Sequence, residues 1–458
     1  MNTPKVIDLV VNNDLCIGCG LCVYACPSQA LDMKWNDYGF LVPELTGTCE
    51  LDGACLDVCP FNPIPLKEVE TEFELADLFL NDTQKKHPKI GKYSAIYAGY
   101  ADEFRLSSSS GGMGTYIFTE LLVNGIVDYV FSVKESEKAG VHYEYSISRS
   151  KEELLKASKT RYFPVTLDRV LSEIQSLDGK VAIVGVACFI KAIRLAQYRE
   201  PQLKDKIPFL VGIICGGVKS RFFTEYLSSK VDVEKQNIEH PNFRIKDYES
   251  TASDYSYGCK DKATDEEKTI KMRSVGDMWG TGLFKANACD FCDDVTTELA
   301  DISLGDAWLH PYVRDGKGTN VVVTRSEIAD ELIQNGIKKG DLTLENLSLE
   351  AFLASQQGSF NHRHTGLSVR IKEAKKRNQP VPPKRFGNEK VTMYFKIVQK
   401  LRMKVRRKSL VVWKKNSNAK PFDSEMKSFL NPLKVITKVN HLRRRLGRLV
   451  MKLKGNKG

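Results

Sequence analysis

The chain has 458 residues, of which 42% are hydrophobic and 27% charged, the composition of an ordinary globular protein with room for two or three cores. No apolar run approaches the ~18–20 residues that a membrane helix needs. The opening stretch MNTPKVIDLVVNNDL is interrupted by Asp8 and too short in apolar residues for a secretory signal, so the expected location is cytoplasmic.

The net charge of +11 conceals an uneven split. Residues 384–458 carry 23 Lys and Arg against 3 acidic residues, an excess of 20 positive charges, which leaves residues 1–383 at −9. An acidic body with a basic tail calls for two explanations. Twelve cysteines in such a chain indicate metal or redox chemistry rather than disulfides.

The N-terminal unit, residues 1–63, contains a repeat. Cys16-x2-Cys19-x2-Cys22-x3-Cys26-Pro27 has the spacing of a bacterial ferredoxin. Three closely spaced thiolates can hold one iron–sulfur cube, while the fourth, set apart before proline, reaches a second. Gly18 and Gly20 let the loop wrap the cluster. A zinc site does not require this order of ligands. The second copy reads Cys49-x2-Asp52-x2-Cys55-x3-Cys59-Pro60, with a carboxylate where a thiolate is expected.

Crossed ligation assigns Cys16, Cys19, Cys22 and Cys59 to a 4Fe-4S cluster. It assigns Cys26, Cys49 and Cys55 to the other, with position 52 at its open corner. Two readings of Asp52 stand. Its carboxylate ligates the fourth iron, a harder and more labile corner, or it is a solvated loop residue beside a 3Fe-4S cluster. Between the copies, alternating apolar residues and a turn at Asn36-Asp37 predict a small hairpin. Residues 64–92 read as a polar, partly helical linker.

From 93 to 360 the texture becomes α/β. Runs 94–101, 126–133, 181–188 and 209–215 are strand-like, and 111–125 has helical spacing. The alternation predicts a substantially parallel sheet. Within it, RLSSSSGGMGT (105–115) offers a nest of N–H and hydroxyl donors at a helix start, suited to a phosphate or the polar edge of a flavin, although such loops are commonly only N-caps. Cys188 and Cys215 end strand-like runs, where cofactors meet open α/β sheets. With the pair Cys289-x2-Cys292 they form a set of four that can hold a third 4Fe-4S cluster; two structural thiols plus a zinc or redox pair is the other reading. The stretch 298–326 shows acidic residues, a turn at Gly305-Asp306 and a turn at Gly316-Lys317-Gly318. Cys259 stands apart and is expected as a free thiol in a loop.

Residues 361–458 form a basic, partly amphipathic helical tail. Tyr394, Ile397, Val398, Leu401 and Val405 share one helical face. Val435, Val439, Leu442, Leu446, Leu449 and Leu453 follow at 4-3-4-3-4 spacing with Arg443, Arg444, Arg445 and Arg448 among them. Packing on the body or on a partner, contact with the anionic inner face of a membrane, and nucleic-acid binding are the three readings. No base-reading module is visible, which makes nucleic acid the weakest.

Taken jointly, SSGG at 109–112, SKTRY at 158–162, G-x-x-C at 185–188, ICGG at 214–217, FRIKD at 243–247, C-x2-C with ADISLGDAW at 289–308, and GKGTN at 316–320 resemble the family of coenzyme F420 hydrogenase/dehydrogenase beta subunits, in the version with an N-terminal two-cluster ferredoxin. The resemblance covers about residues 1–360. It implies an α+β ferredoxin domain, then an α/β flavin-binding domain, with the helical basic C-terminal tail beyond. It also implies FAD contacted by Ser109, Ser110, Gly111, Gly112 and Thr115, with Lys159 near it, and a third cluster on Cys188, Cys215, Cys289 and Cys292. The family's usual proline before the first central cysteine is Ala187 here.

The function this implies is an oxidoreductase that passes electrons between iron–sulfur clusters and FAD, with hydride-equivalent exchange with coenzyme F420 or another organic partner. A ferredoxin or other redox protein serves the clusters. The alternative is a non-catalytic electron-transfer subunit that docks to an enzyme.

Overall fold

A computed structural model describes residues 3–455 apart from 82, 84 and 139, with side chains described up to residue 446. Alternating burial from Leu31 onward builds the expected hairpin. β1 (Leu31–Trp35) and β2 (Leu41–Leu45) pair antiparallel. The Asn36 side chain closes the turn by accepting the N–H groups of Tyr38 and Phe40, both at 3.0 Å. The two cysteine copies flank this hairpin as matching one-turn helices, Leu21–Tyr24 and Ala54–Asp57. Each is preceded by a left-handed glycine, Gly20 at φ 81° and Gly53 at φ 84°. A side chain at position 20 would in addition meet Thr166 Oγ1 at 2.1 Å, so the backbone there is held against the central unit.

Residues 64–92 are not a spacer. A capping box at Thr71 and Glu74 starts the helix Glu72–Phe79. Its Leu75 and Ala76 enter the same core as the ferredoxin residues Leu21 and Leu56. Buried Glu72 pairs with Lys191 at 3.2 Å. A short hairpin follows, β3 (Lys85–His87) and β4 (Gly91–Tyr93).

The central sheet has eight strands: β5 (Ala95–Ala101), β6 (Tyr129–Glu135), β7 (Tyr143–Ser148), β8 (Val181–Val186), β9 (Phe209–Ile213), β13 (Ile302–Asp306), β14 (Asn320–Thr324) and β15 (Leu342–Asn346). Their spatial order is β15-β5-β14-β13-β9-β8-β6-β7. β6, β8, β9 and β13 run parallel. The other pairings are antiparallel, so the parallel sheet expected from the sequence is only the middle of a mixed one. The four parallel strands are buried on both faces and read as apolar runs; of the antiparallel pairings, β6–β7 and β13–β14 are short-range, while β5 meets β14 and β15 from more than two hundred positions away.

Successive side chains divide between the faces. Val181, Ile183 and Leu210 pack with Ile190 and Ile193 of the helix Ala187–Arg199 and with the ferredoxin unit. Ala182, Phe209 and Val211 pack with Ile117 and Leu121 of the helix Met113–Val123. A separate antiparallel sheet comprises β10 (Ile238–Ile245), β11 (Ser256–Asp261) and β12 (Glu266–Lys271). Cys259 lies in β11, fully buried, rather than in a loop: its alternating position faces a core of Tyr143, Tyr257 and Phe243. Gly305-Asp306 is likewise the end of β13, not a turn.

After the helix Leu367–Lys375, the tail continues in two longer helices, Met393–Asn416 and Ala419–Gly455. The helix Met393–Asn416 packs on the body through Val398, Val405 and Trp413. Leu401 is half-buried, while Tyr394 and Ile397 stay 36% and 37% exposed, so the expected apolar face divides along its length. Arg448, Leu449 and Leu453 of the second lie outside the residues whose side chains are described.

Candidate iron–sulfur and cavity site

Folding gathers the cysteines into three sets. In the first, burial pushes the Cys16 thiol up to about 12 and Cys19 to about 11. Cys22 and Cys59 rise further, from burial first and then from the charges of neighbouring thiols, Cys16 and Cys19 among them. In the second, Cys55 is raised by burial and then by Asp52, Cys26 and Cys49. Cys55 also acts on Cys22 and Cys59, so the two N-terminal sets are neighbours. Asp52 lies close enough to act on Cys55 and is exposed, and its Oδ1 accepts the Ala54 N–H at 3.0 Å.

The third set joins Cys188, Cys215, Cys289 and Cys292. Cys188 opens the helix after β8, and Cys215 follows β9. The two strands are parallel neighbours, so their carboxyl ends bring the thiols together. The turn Ala288–Phe291 supplies Cys289, with Cys292 next to it. Burial raises Cys188 well above the ordinary thiol range, and Cys289, Cys292 and Cys215 raise it further. The next contributor is Cys19, which puts the first N-terminal set beside the central one.

The sulfurs receive hydrogen bonds. Gly217 N–H donates to Cys215 Sγ at 3.1 Å, and Val218 N–H to Cys289 Sγ at 3.2 Å. Leu51 N–H donates to Cys49 and Ala30 N–H to Cys26, both at 3.4 Å. A side chain at Gly217, where φ is 130°, would meet Lys285 at 2.8 Å, so glycine permits this close wrapping. Desolvated thiols with N–H groups aimed at sulfur suit iron, which takes the thiolate charge that burial alone disfavours. Among the described residues no three His, Cys, Asp or Glu side chains converge as ligands of a single ion.

A cavity of 790 Å³ opens beside the central set. Its wall includes Ser109, Lys159, Cys215, Trp279, Asp306 and Tyr145. The serine loop is cross-braced: Ser109 Oγ accepts the Thr160 N–H at 2.9 Å, and Ser158 Oγ lies 2.8 Å from the hydroxyls of both Ser108 and Thr115. Ser110 Oγ donates to Asp306 at 2.7 Å, and Arg244 pairs with the same carboxylate at 2.8 Å. Lys246 Nζ donates to Ser110 O at 3.1 Å and Lys317 O at 2.8 Å, tying the serine loop to the Gly-Lys-Gly loop. Ser109, Ser110, Gly112, Thr115 and Lys159 all line the cavity. Gly111 sits behind it, where a side chain would strike Asn320 and Gly99 at 2.8 Å.

Several residues escaped the sequence reading. Arg244, Lys246 and Asp306 lie inside motifs that were visible but had no assigned role. Arg363, from the tail, donates to Cys292 Sγ at 3.4 Å and also to the carbonyls of Cys215 and Asp294. Tyr145 lines the cavity, and its hydroxyl feels both Cys188 and Cys19. Neither carried a local signal.

Family comparisons agree with this layout. Residues 95–172 match the N-terminal model of the coenzyme F420 hydrogenase/dehydrogenase beta subunit, and 178–350 match its C-terminal model. The chain belongs to this family. Residues 15–63 match a 4Fe-4S dicluster domain, so the N-terminal unit is an iron–sulfur domain.

Among relatives of this family member, the coenzyme F420-dependent sulfite reductase of Methanocaldococcus jannaschii is 25% identical over 358 residues. That match covers 74% of the chain but 48% of the relative, so the chain spans about half its length. A component of the F(420)H(2) dehydrogenase of Methanosarcina mazei is 24% identical, over 72% of the chain and 84% of the relative. A chain of the F420-reducing NiFe hydrogenase complex from Methanosarcina barkeri aligns with a TM-score of 0.49 and 18% identity, over 66% of this chain and 99% of that one. The family is one of oxidoreductase subunits that transfer electrons. No helix among the described residues is long and apolar enough to cross a membrane.

Proposed function

We propose that this protein is an iron–sulfur flavoprotein oxidoreductase with three clusters in series and FAD in the cavity. The observation that carries the reading is the double role of Cys215, which belongs to the central thiol set and also forms part of the cavity wall. The order follows from neighbours. Cys55 of the Asp52 set acts on Cys22 and Cys59, and Cys19 of their set acts on Cys188, which supports this order.

The cavity volume lies in the range of cofactor sites, and its donors suit a phosphate-bearing ligand. Ser109, Ser110 and Thr115 supply hydroxyls, Gly112 leaves room at the start of the helix Met113–Val123, and Lys159 supplies positive charge. Burial, and then Arg161, lowers the Lys159 pKa. Bound FAD would supply one-electron exchange with a cluster and two-electron exchange with an organic partner such as coenzyme F420. Ser109, Ser110, Thr115 and Lys159 would hold the group, Trp279 and Tyr145 would exclude water, and Arg244, Lys246 and Asp306 fix the serine loop.

The test is an anaerobic visible spectrum of the purified protein, before and after reduced coenzyme F420 and then reduced ferredoxin. Bleaching of a flavin band by F420 establishes a deazaflavin oxidoreductase. Bleaching by ferredoxin alone assigns another organic partner. Clusters without any flavin band overturn the reading in favour of an electron-transfer subunit.

A further inference from the structure

The last helix buries one face and displays a second apolar face away from the body. Leu433 and Asn440 are 3% and 4% exposed, whereas Val435, Val439, Leu442 and Leu446 are 62%, 41%, 59% and 53% exposed. At 3.6 residues per turn these four fall within about 60° of one another, and about 140° from the buried pair. The arrangement is a ridge of aliphatic side chains pointing outward from a helix already seated by its other side. The same helical arithmetic sets Lys434, Lys438 and Arg445 along one flank of the ridge, and Arg443 along the other, where it also covers the Tyr394 ring at 5.0 Å.

We propose that this ridge is the docking surface for an anionic lipid bilayer and lies in its interface. Three observations select this occupant. The ridge presents four aliphatic side chains that are 41% to 62% exposed. It is bordered by cations on both flanks, so a second copy would bring like charges together. The segment 384–458 holds an excess of 20 positive charges on a chain whose remainder is at −9, which turns this end of the molecule toward a negatively charged plane. An amphipathic helix of this kind combines aliphatic insertion with attraction to anionic headgroups. The proposal is independent of the redox reading.

The experiment is co-sedimentation of the full-length protein with vesicles of phosphatidylcholine and phosphatidylglycerol, compared with phosphatidylcholine alone, at low and high salt. Binding is expected only to the mixed vesicles and is expected to weaken with salt. A triple variant Lys434→Gln, Lys438→Gln, Arg445→Gln should bind roughly a hundredfold more weakly. The double variant Val439→Ser, Leu442→Ser should weaken binding without loss of iron or of helical circular dichroism, because both side chains are exposed. Equal binding to neutral vesicles, no binding at low salt, or unchanged binding by both variants overturns the proposal. A concentration-dependent dimer that the double variant abolishes assigns the ridge to a second copy and overturns it as well.

Discussion

Arg363 donates a hydrogen bond to the sulfur of Cys292 at 3.4 Å across 71 positions of sequence. The tail thus contributes to the central thiol set as directly as the family motifs do. The guanidinium is buried, yet its pKa is raised, because the thiolates of Cys292, Cys215 and Cys289 outweigh the cost of burying it. A fixed positive charge beside a cluster stabilises its reduced, more negative state. Arg363→Ala should therefore lower the central cluster's reduction potential by on the order of 60 mV, the one-electron equivalent of about 1.4 kcal/mol. Arg363→Lys should recover part of the shift. Potentiometric titration followed by EPR checks this, and an unchanged potential at full iron content would show that the arginine does not face a cluster.

Asp52 tests the second N-terminal set. Its carboxylate is exposed and accepts the Ala54 N–H. That bond uses only one of its oxygens, which leaves the other free for iron. Asp52→Cys restores the full thiolate run and should give a conventional four-iron cluster with altered potential and greater resistance to oxidative iron loss. Iron content and the EPR spectrum before and after mild oxidation are the readouts. If both match the parent protein, position 52 never reaches the cluster.

What the sequence disclosed was local. Cysteine spacing identified the N-terminal sets because ferredoxin loops impose a short-range order on their ligands, and 181–186 and 209–213 were readable because strands buried on both faces are continuously apolar. The strand at 94–101 was equally readable, but not its place in the sheet, since β5 pairs antiparallel with β14 and β15 more than two hundred positions away. Cys259 was misplaced in a loop because one buried thiol among polar neighbours has no pattern apart from its sheet. Arg363 and Tyr145 reach the site only through tertiary packing, and nothing near them in sequence announces a cysteine. Packing on the body was one of three readings of the tail. Its first long helix follows that reading and locks to the body, where Arg406 pairs with Asp290, between the two cysteines of the Cys289-x2-Cys292 turn, at 3.0 Å.

Cys188 is the junction between the ferredoxin unit and the centre. It opens the helix after β8 and feels Cys19 as well as its own set. Cys188→Ser should lose one cluster's complement of iron while both N-terminal clusters remain reducible. Electron delivery from reduced ferredoxin to the cavity ligand should then slow by at least about a hundredfold, since a missing relay leaves a long gap. Stopped-flow absorbance under anaerobic conditions separates cluster bleaching from the later step. Undiminished delivery with the central cluster absent would mean that electrons reach the cavity by another route.

Lys219 gives the protein a pH-dependent stability. Its ammonium is buried and donates to the carbonyls of Met278 at 2.8 Å and Leu283 at 2.6 Å, with the Trp279 ring 4.5 Å away. Burial, and then the nearby charge of Lys285, lowers its pKa from 10.5 to about 7. In the unfolded chain the amine keeps its proton up to about 10.4. Below pH 7 both states are charged and the folded state bears the whole desolvation cost. Between about 7 and 10 the unfolded state binds more protons, so stability rises with pH. From pH 7 to 9 this one group should add about 2 kcal/mol. Burial also lowers Lys246 to about 8, which acts in the same direction, so the comparison must be with a variant. In Lys219→Met the rise should be smaller by that amount. Anaerobic urea midpoints at the two pH values measure it, and an equal rise in both proteins would show that Lys219 is not desolvated in the folded state.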